Sequence, residues 1–407
     1  MKKKLIVIGG GAAGFFTAVN AARMNSSLEV CIVEKSNKLL SKVKISGGGR
    51  CNTTHACFEI AELVKKYPRG QQFLKKAFHQ FNTNHTIQWF AERNVTLVTE
   101  ADGRMFPSTN DSQTIINCLL QEADKYAVKV LMQTEIKAIK KEDHQFQLVT
   151  SNEQQLVADY LCVACGGYPK STMFQWLTNL GHTIETPVPS LFTFNMPGNK
   201  INQFMGLSVP MATVKIIGTK LVEQGPLLIT HWGMSGPVIL KLSAWGARIL
   251  ADASYRFKIT VNWLSDYNEQ NLRESWHSLR TELAAQKMGN KNPFSLPNRL
   301  WNFLLEQSEI KEDTRWADLP SKEQNKLIKN LTAAEFTVDG KTTFKEEFVT
   351  CGGIKLSEID PNTMQSKKVD QLYFAGEIMD IDGVTGGFNF QNAWTSGWIA
   401  AKSISNT

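Results

Sequence analysis

The chain has 407 residues, 42% of them hydrophobic and 20% charged, with 45 Lys plus Arg against 38 Asp plus Glu for a net charge of +7. That balance excludes a disordered or fibrous protein, and at about 150 residues per domain it implies two or three globular domains. The basic surplus contains no block of five like charges and reads as a solvated surface rather than a nucleic-acid footprint, while seven scattered Cys in so long a chain point to a reducing, cytoplasmic setting.

Met1 to Lys4 followed by an uncharged stretch to Ala22 imitates a secretory leader, but Gly9, Gly10, Gly11 and Gly14 sit at its centre and weaken any helix there. A strand, turn and helix fit better. Leu5-Ile6-Val7-Ile8 is an apolar run of the kind buried on both faces of a sheet, and it enters Gly9-Gly10-Gly11-Ala12-Ala13-Gly14. The G-x-G-x-x-G spacing assigns Gly9 to a tight turn, Gly11 to close approach of a pyrophosphate and Gly14 to helix–strand packing, with the helix N-terminus facing the phosphates. A second strand, Leu28 to Val33, ends at Glu34, where a carboxylate accepts from a ribose 2′-OH and repels a 2′-phosphate. The ligand is therefore FAD or NAD rather than NADP, and no stretch of about 18 apolar residues offers a membrane span.

Lys35 and Lys42 join the candidate nucleotide site, and Ser46-Gly47-Gly48-Gly49-Arg50-Cys51-Asn52 follows as a loop whose bare backbone passes close to a ligand. Arg50 and Asn52 add donors suited to a pyrophosphate or to ring carbonyls. Residues 58–94 read as helical with an apolar face, and Ser112 is expected to cap a helix over 112–126. Strands are expected at Val128–Leu131, Glu135–Ile139, Gln145–Val149 and Tyr160–Ala164, the last followed by Gly166-Gly167. Cys162 and Cys165 have C-x-x-C spacing, but at a strand end rather than at a helix start that would stabilise a thiolate.

From Pro187 the character changes. Short β-like runs over 190–230 suggest a small barrel or sheet, Pro237 opens a helix running to Leu250, Phe257–Trp263 is a strand, and 268–331 is helical. Strand character returns from Phe336 through Ile354. Near the C-terminus, Gln371–Ala375 reads as a strand, followed by Gly376-Glu377-Ile378-Met379-Asp380, then Gly386-Gly387-Phe388-Asn389 and a final helix. Glu377 and Asp380 are placed to accept from a polyol chain, and the N–H groups from Gly387 to Asn389 can face a ring carbonyl. NAD needs neither a polyol site nor a ring cradle from the far end of the chain; FAD needs both.

These motifs, with Ala164, Gly166-Gly167, the segment Thr230 to Pro237 and Thr363 to Lys367, resemble the BaiN-like, or aminoacetone oxidase, family of NAD(P)/FAD-dependent oxidoreductases within the glutathione-reductase-like flavoproteins. The resemblance runs almost end to end and implies an α/β fold. In it, a Rossmann-like FAD-binding domain, residues 1–188 and 335–407, is interrupted by an insertion over 189–334 with a β-barrel-like part (189–263) and a helical part (264–334). It also implies backbone contacts from Glu135 and Ile136 to the adenine. The chain departs from the family pattern at Ser41-Lys42-Val43-Lys44, which lengthens the linker to the triple glycine, and at Cys162 and Cys165, where a Thr is common.

No second G-x-G-x-x-G, P-loop, metal-ligand spacing or Ser-His-Asp signature is evident. Either NAD(P)H visits the flavin without a domain of its own, or the substrate reduces the flavin and O₂ reoxidises it. His231 either handles a proton for a small-molecule substrate or simply holds its Gly-bearing loop. Arg50 binds a substrate oxygen or only the cofactor, and Cys51 is a reactive thiol or a packed one. Three readings follow: an FAD oxidoreductase moving hydride at flavin N5, by amine oxidation or by reduction of an activated C=C bond; an RNA-modifying flavoprotein; and a flavin-binding sensor without turnover.

Overall fold

The computed structural model describes residues 2–343 and 349–407, so the expected strand over 336–354 lies partly outside the described residues. The described residues divide into two compact units, one of residues 2–190 and 349–407, the other of Leu191–Thr343.

In the first unit the apolar runs pair side by side. A five-stranded parallel sheet has the order Leu372–Phe374, Tyr160–Val163, Lys4–Ile8, Glu29–Val33 and Lys129–Leu131. Leu5 to Val7 are fully buried, as a strand covered on both faces requires. The first helix, Ala12–Met24, crosses between its first two neighbouring strands. Gly9 has φ +116°, and a Cβ there would lie 2.5 Å from Ala164 O, while one on Gly14 would run into Gly9 O. These two glycines are demanded by the turn and by helix–strand contact. Around the sheet lie a meander of Ile136–Glu142, Gln145–Thr150 and Gln155–Ala158, a small sheet of Thr54–His55, Arg104–Pro107 and Leu97–Thr99, and a ribbon pairing Ile184–Ser190 with Val349–Ile354.

The C-terminal helix, Phe388–Ser405, packs along the first helix. Gly397 permits the approach: a Cβ there would lie 3.0 Å from Ala13 O and 3.1 Å from Thr17 Oγ1. Phe16 fills the angle between them, its ring centroid 5.1 Å from Trp394 and 4.6 Å from Trp89.

The second unit is a seven-stranded antiparallel sheet with helices against it. Its two edge strands, Ala334–Asp339 and Lys341–Thr342, are consecutive pieces of one segment bent at Gly340, so the sheet closes on itself. The helices Glu269–Glu282, Asn298–Gln307 and Ser321–Thr332 bury Trp276, Trp301 and Leu327 in the same core as Trp263.

Local physics shifts several expectations. The unit boundary falls after Thr343 rather than at 335, because Ala334–Asp339 pairs with Arg256–Asn262. Residues 58–94 break into Ile60–Val64, Gln71–Phe78 and Thr83–Ala91, interrupted at Pro68–Gly70 and restarted where Asn82 caps the third helix. The helix from Pro237 stops at Trp245 and resumes at Ala247, because the backbone leaves helical angles at Gly246 (φ −87°, ψ 4°). Ser112 does not cap its helix; its hydroxyl donates to Lys44 O at 2.8 Å.

One buried polar line closes the sheet's far side. Ser366 Oγ lies 3.1 Å from His182 Nε2, and His182 Nδ1 lies 3.2 Å from Glu358 Oε2. The order Ser, His, Glu imitates a hydrolytic triad, yet the serine oxygen accepts from Lys368 N and Val369 N and so is locked in a turn. Burial pulls the His182 pKa below its ordinary 6.5, with Glu358 opposing. Burial raises Glu358, but Lys368 and Thr183 outweigh it and hold the carboxyl at about 2. Both folded pKa values lie below the unfolded ones, so each group's contribution is complete above its ordinary pKa and is lost as the pH falls. Urea unfolding should show stability declining first below pH 6.5 and again below 4.5; His182→Asn should flatten the upper step and Glu358→Gln the lower.

Candidate functional site

The glycine turn after the first strand is built as an open cradle. The first helix starts at Ala12 with no acidic residue in its first turn, so its N-terminal N–H groups keep their positive end for an anion. A Cβ on Gly11 would meet nothing within 4 Å, and the same holds at Gly48, Gly49 and Gly166. Glu34 stands at the end of the strand Glu29–Val33, where the sequence reading expects it. One carboxylate oxygen accepts from Gly10 N and the other from Ser36 N, both at 2.8 Å, which fixes the side chain and leaves lone pairs for a hydroxyl.

Three distant motifs meet beside this cradle. Lys42 Nζ lies 2.8 Å from Glu377 Oε2, while Glu377 Oε1 accepts from Thr350 N at 2.8 Å. Gly167 is pressed against Thr350 and lies near Glu377. Thr350 Oγ1 and Asn392 Oδ1 are buried with no hydrogen-bond partner among the described residues. An unsatisfied buried polar atom costs about 1–3 kcal/mol, so the Thr350 hydroxyl, orphaned beside Gly167, suits a polar ligand.

The glycine pair before the C-terminal helix is held from several sides. Asn52, oriented so that both ends of its amide are satisfied, accepts from Gly387 N and donates to Thr54 O, each at 3.0 Å. Gly387 has φ +94°, and a Cβ there would lie 2.5 Å from Thr54 O. Trp394 Nε1 donates to Thr53 O at 2.9 Å, and Thr54 Oγ1 donates to Gln391 Oε1 at 2.6 Å. His55 Nδ1 donates to Gly386 O at 2.9 Å, and its ring stacks on Phe388 at 4.6 Å. From the other side, Tyr67 OH donates to Phe388 O at 2.7 Å, Val384 N donates to Lys66 O at 2.9 Å, and Arg69 is paired with the fully buried Asp382, which also accepts from Ser190 Oγ at 2.7 Å. The helix begins without an acidic residue in its first turn, leaving a second positive end.

Several expected side chains have other work. Ser41–Gly49 forms a helix that breaks at Ser46–Gly48, where the backbone leaves helical angles. Arg50 stacks on Phe106 at 4.0 Å and pairs with Glu100 at 2.6 Å, so it braces the loop instead of offering a free guanidinium. Cys51 is buried and burial pushes its thiol to about 11, which excludes a resting thiolate. Burial likewise lifts Cys162 to about 12 and Cys165 to about 11. Asn389 turns back to bond both backbone groups of Gly383. Lys35 lies over the Tyr168 ring at 5.4 Å. The Glu135 side chain pairs with Lys137, and its carbonyl accepts from Ser151 N, while Ile136 is buried. Asp380 N donates to Ile354 O, and Gly376 lies against Ala13. His231 belongs to the second unit, exposed at the tip of a tight turn in which Thr230 Oγ1 accepts from Gly233 N. Sequence reasoning missed His55, Tyr67, Arg69, Thr350 and Asp382; the run Tyr67-Pro68-Arg69-Gly70 could have been noticed as a turn carrying a cation. No group of His, Cys, Asp and Glu among the described residues could hold a metal, and no described helix is long and apolar enough to cross a membrane.

Residues 3–403 match the family described as HI0933-like protein Rossmann domain. The chain belongs to the HI0933-like family. Its relatives include a 3-dehydro-bile acid delta(4,6)-reductase from Clostridium scindens, 25% identical over 98% of each chain, and ribosomal RNA dihydrouridine synthases from Haemophilus influenzae (29% identical, 98% of each chain) and Escherichia coli (29%, 98% of this chain and 97% of the relative). Among solved structures, a 3-ketosteroid delta1-dehydrogenase from Sterolibacterium denitrificans has the same fold, with TM-score 0.51, 12% identity and 99% of each chain covered. HI0933-like proteins bind FAD at their Rossmann site, and this chain is an FAD-dependent oxidoreductase. The cradle at Gly11, Glu34 and the orphaned Thr350 hydroxyl fit that cofactor.

A cradle and a packing contact respond differently to added bulk. Gly11 has φ −94°, which any residue adopts, and open space around it. Gly11→Val should leave the thermal melting of the apoprotein unchanged while abolishing the 450 nm flavin absorbance of the purified protein. Gly14→Ala should lower the melting temperature itself.

Proposed function

We propose that this protein reduces a carbon–carbon double bond conjugated to a carbonyl, with NAD(P)H as the visiting reductant. The observation that carries this reading is a shared bond change: relatives aligned over nearly the whole of both chains are named for saturating ring double bonds, in a 3-oxo bile acid and in uridine. In each, the bond lies next to a carbonyl, which makes its far carbon electron-poor. The single G-x-G-x-x-G cradle is consistent with a reductant that binds transiently.

FAD, when bound and reduced by NAD(P)H, would supply hydride to an electron-poor carbon. The remaining tasks fall to this chain. The bare helix start at Gly387 stabilises negative charge facing it. A proton must also reach the second carbon. Cys51, Tyr67, Cys162, Cys165 and Tyr168 are raised by burial and make poor donors at neutral pH. His231, an exposed imidazole on a tight turn, is the proposed donor.

The substrate reading favoured by two relatives named for ribosomal RNA is a uridine within RNA. Anaerobic NADH and NADPH titration of the purified protein should bleach the flavin, whereas a panel of amines should neither bleach it nor generate peroxide. His231→Gln should leave that bleaching rate unchanged and lower turnover by about 10²-fold or more, the usual contribution of a positioned acid. Nucleoside mass spectrometry of ribosomal RNA from cells lacking the gene should show loss of dihydrouridine; an unchanged level would return the substrate to a small enone.

A further inference from the structure

We propose that the exposed lysines Lys65, Lys66, Lys75 and Lys76 form the surface that holds the phosphodiester backbone of an RNA substrate beside the glycine pair. The proposal rests on the RNA reading given above and adds where the polyanion is gripped.

Three observations support it. Charge is segregated here: between Glu62 and Glu92 the chain has no Asp or Glu, yet it carries Lys65, Lys66, Arg69, Lys75 and Lys76. Of these cations Arg69 is consumed by the buried Asp382, while the four lysines are exposed. Lys65 pairs with the equally exposed Glu62, and water competes strongly for both partners of such a pair, so its ammonium stays available to a phosphate. The helix Gln71–Phe78 explains the exposure, since Phe73, Leu74, Ala77 and Phe78 face the core and turn Lys75 and Lys76 outward.

The buried side of the same segment grips the turn that enters the C-terminal helix. Lys66 O accepts from Val384 N, Tyr67 OH donates to Phe388 O, and Gly70 lies against Ile381. Lysines on this segment are thereby held at a fixed offset from Gly386 and Gly387. A point-charge ammonium on a flexible stem suits phosphate contacts that need no sequence selectivity.

The test uses the full-length FAD-loaded protein and a fluorescein-labelled single-stranded RNA of about 20 nucleotides, with affinity read by anisotropy across a salt series. The variant replaces all four residues (Lys65→Gln, Lys66→Gln, Lys75→Gln, Lys76→Gln). A control removes charge elsewhere by Lys322→Gln, Lys326→Gln and Lys329→Gln. We expect the first variant to bind about ten-fold or more weakly at low salt, with the salt slope shallower by about 0.7 for each phosphate that is no longer neutralised, and its flavin spectrum unchanged. The control should bind as the parent does. Equal affinity and slope in parent and variant would overturn the proposal and leave the RNA reading standing, as would equal weakening in the control. Loss of binding to phosphatidylglycerol vesicles with RNA binding intact would overturn it in favour of a lipid surface. A parent protein that binds no RNA would remove both.

Discussion

The close contact of Gly397 with Ala13 and Thr17 sets the geometry on which the site depends. A side chain at 397 would push the C-terminal helix off the first helix, and with it the two helix starts that follow Gly11 and Gly387. Each start lacks an acidic residue, so each keeps the partial positive charge of its unpaired N–H groups. The unit thus offers two positive ends, and the stretch between them is lined by carboxylates already pinned by backbone donors, Glu34 by Gly10 and Ser36 and Glu377 by Thr350. An elongated ligand with an anionic group at the first helix start, hydroxyls at the carboxylates and a polar, flat head at the second start matches that distribution.

Magnitudes limit what the helix start at Gly387 achieves. A dipole contribution of about 0.3–2 kcal/mol corresponds to roughly 7–40 mV for a two-electron couple. A flavin ring facing that start would have its reduction potential tuned, not set, by the helix. The turn itself is rigid: Asn52, Trp394, Gln391, His55 and Tyr67 each bond a backbone or side-chain group of the opposite motif, so the glycine pair has little freedom to adapt. Preorganised donors of this kind lose less on binding than a floppy turn would.

Much of this was legible in the sequence because it depends on local rules. The strand from Leu5, the turn at Gly9, the helix–strand contact at Gly14, the carboxylate at Glu34 and the helix after Gly387 follow from spacing and burial pattern, and the structure places each in its element. Side-chain partnerships were less legible. Arg50 reads as an anion-binding donor until Glu100 and Phe106, 50 and more residues away, take its guanidinium. Asn389 reads as a ring contact until Gly383 closes on it. Asp382 carried no local signal, since its meaning lies in Arg69, which periodicity alone assigns to a helix surface. The boundary at 343 escaped because a strand pattern does not say which sheet it joins.

The central claim is that the two ends of the chain bind the two halves of a single FAD. Calorimetric titration of apoprotein carrying Gly387→Ala tests it most directly, because ADP reports the front half alone and FAD reports both. The account predicts ADP affinity equal to that of the parent protein together with severely weakened FAD binding. FAD affinity that survives the substitution unchanged would contradict it.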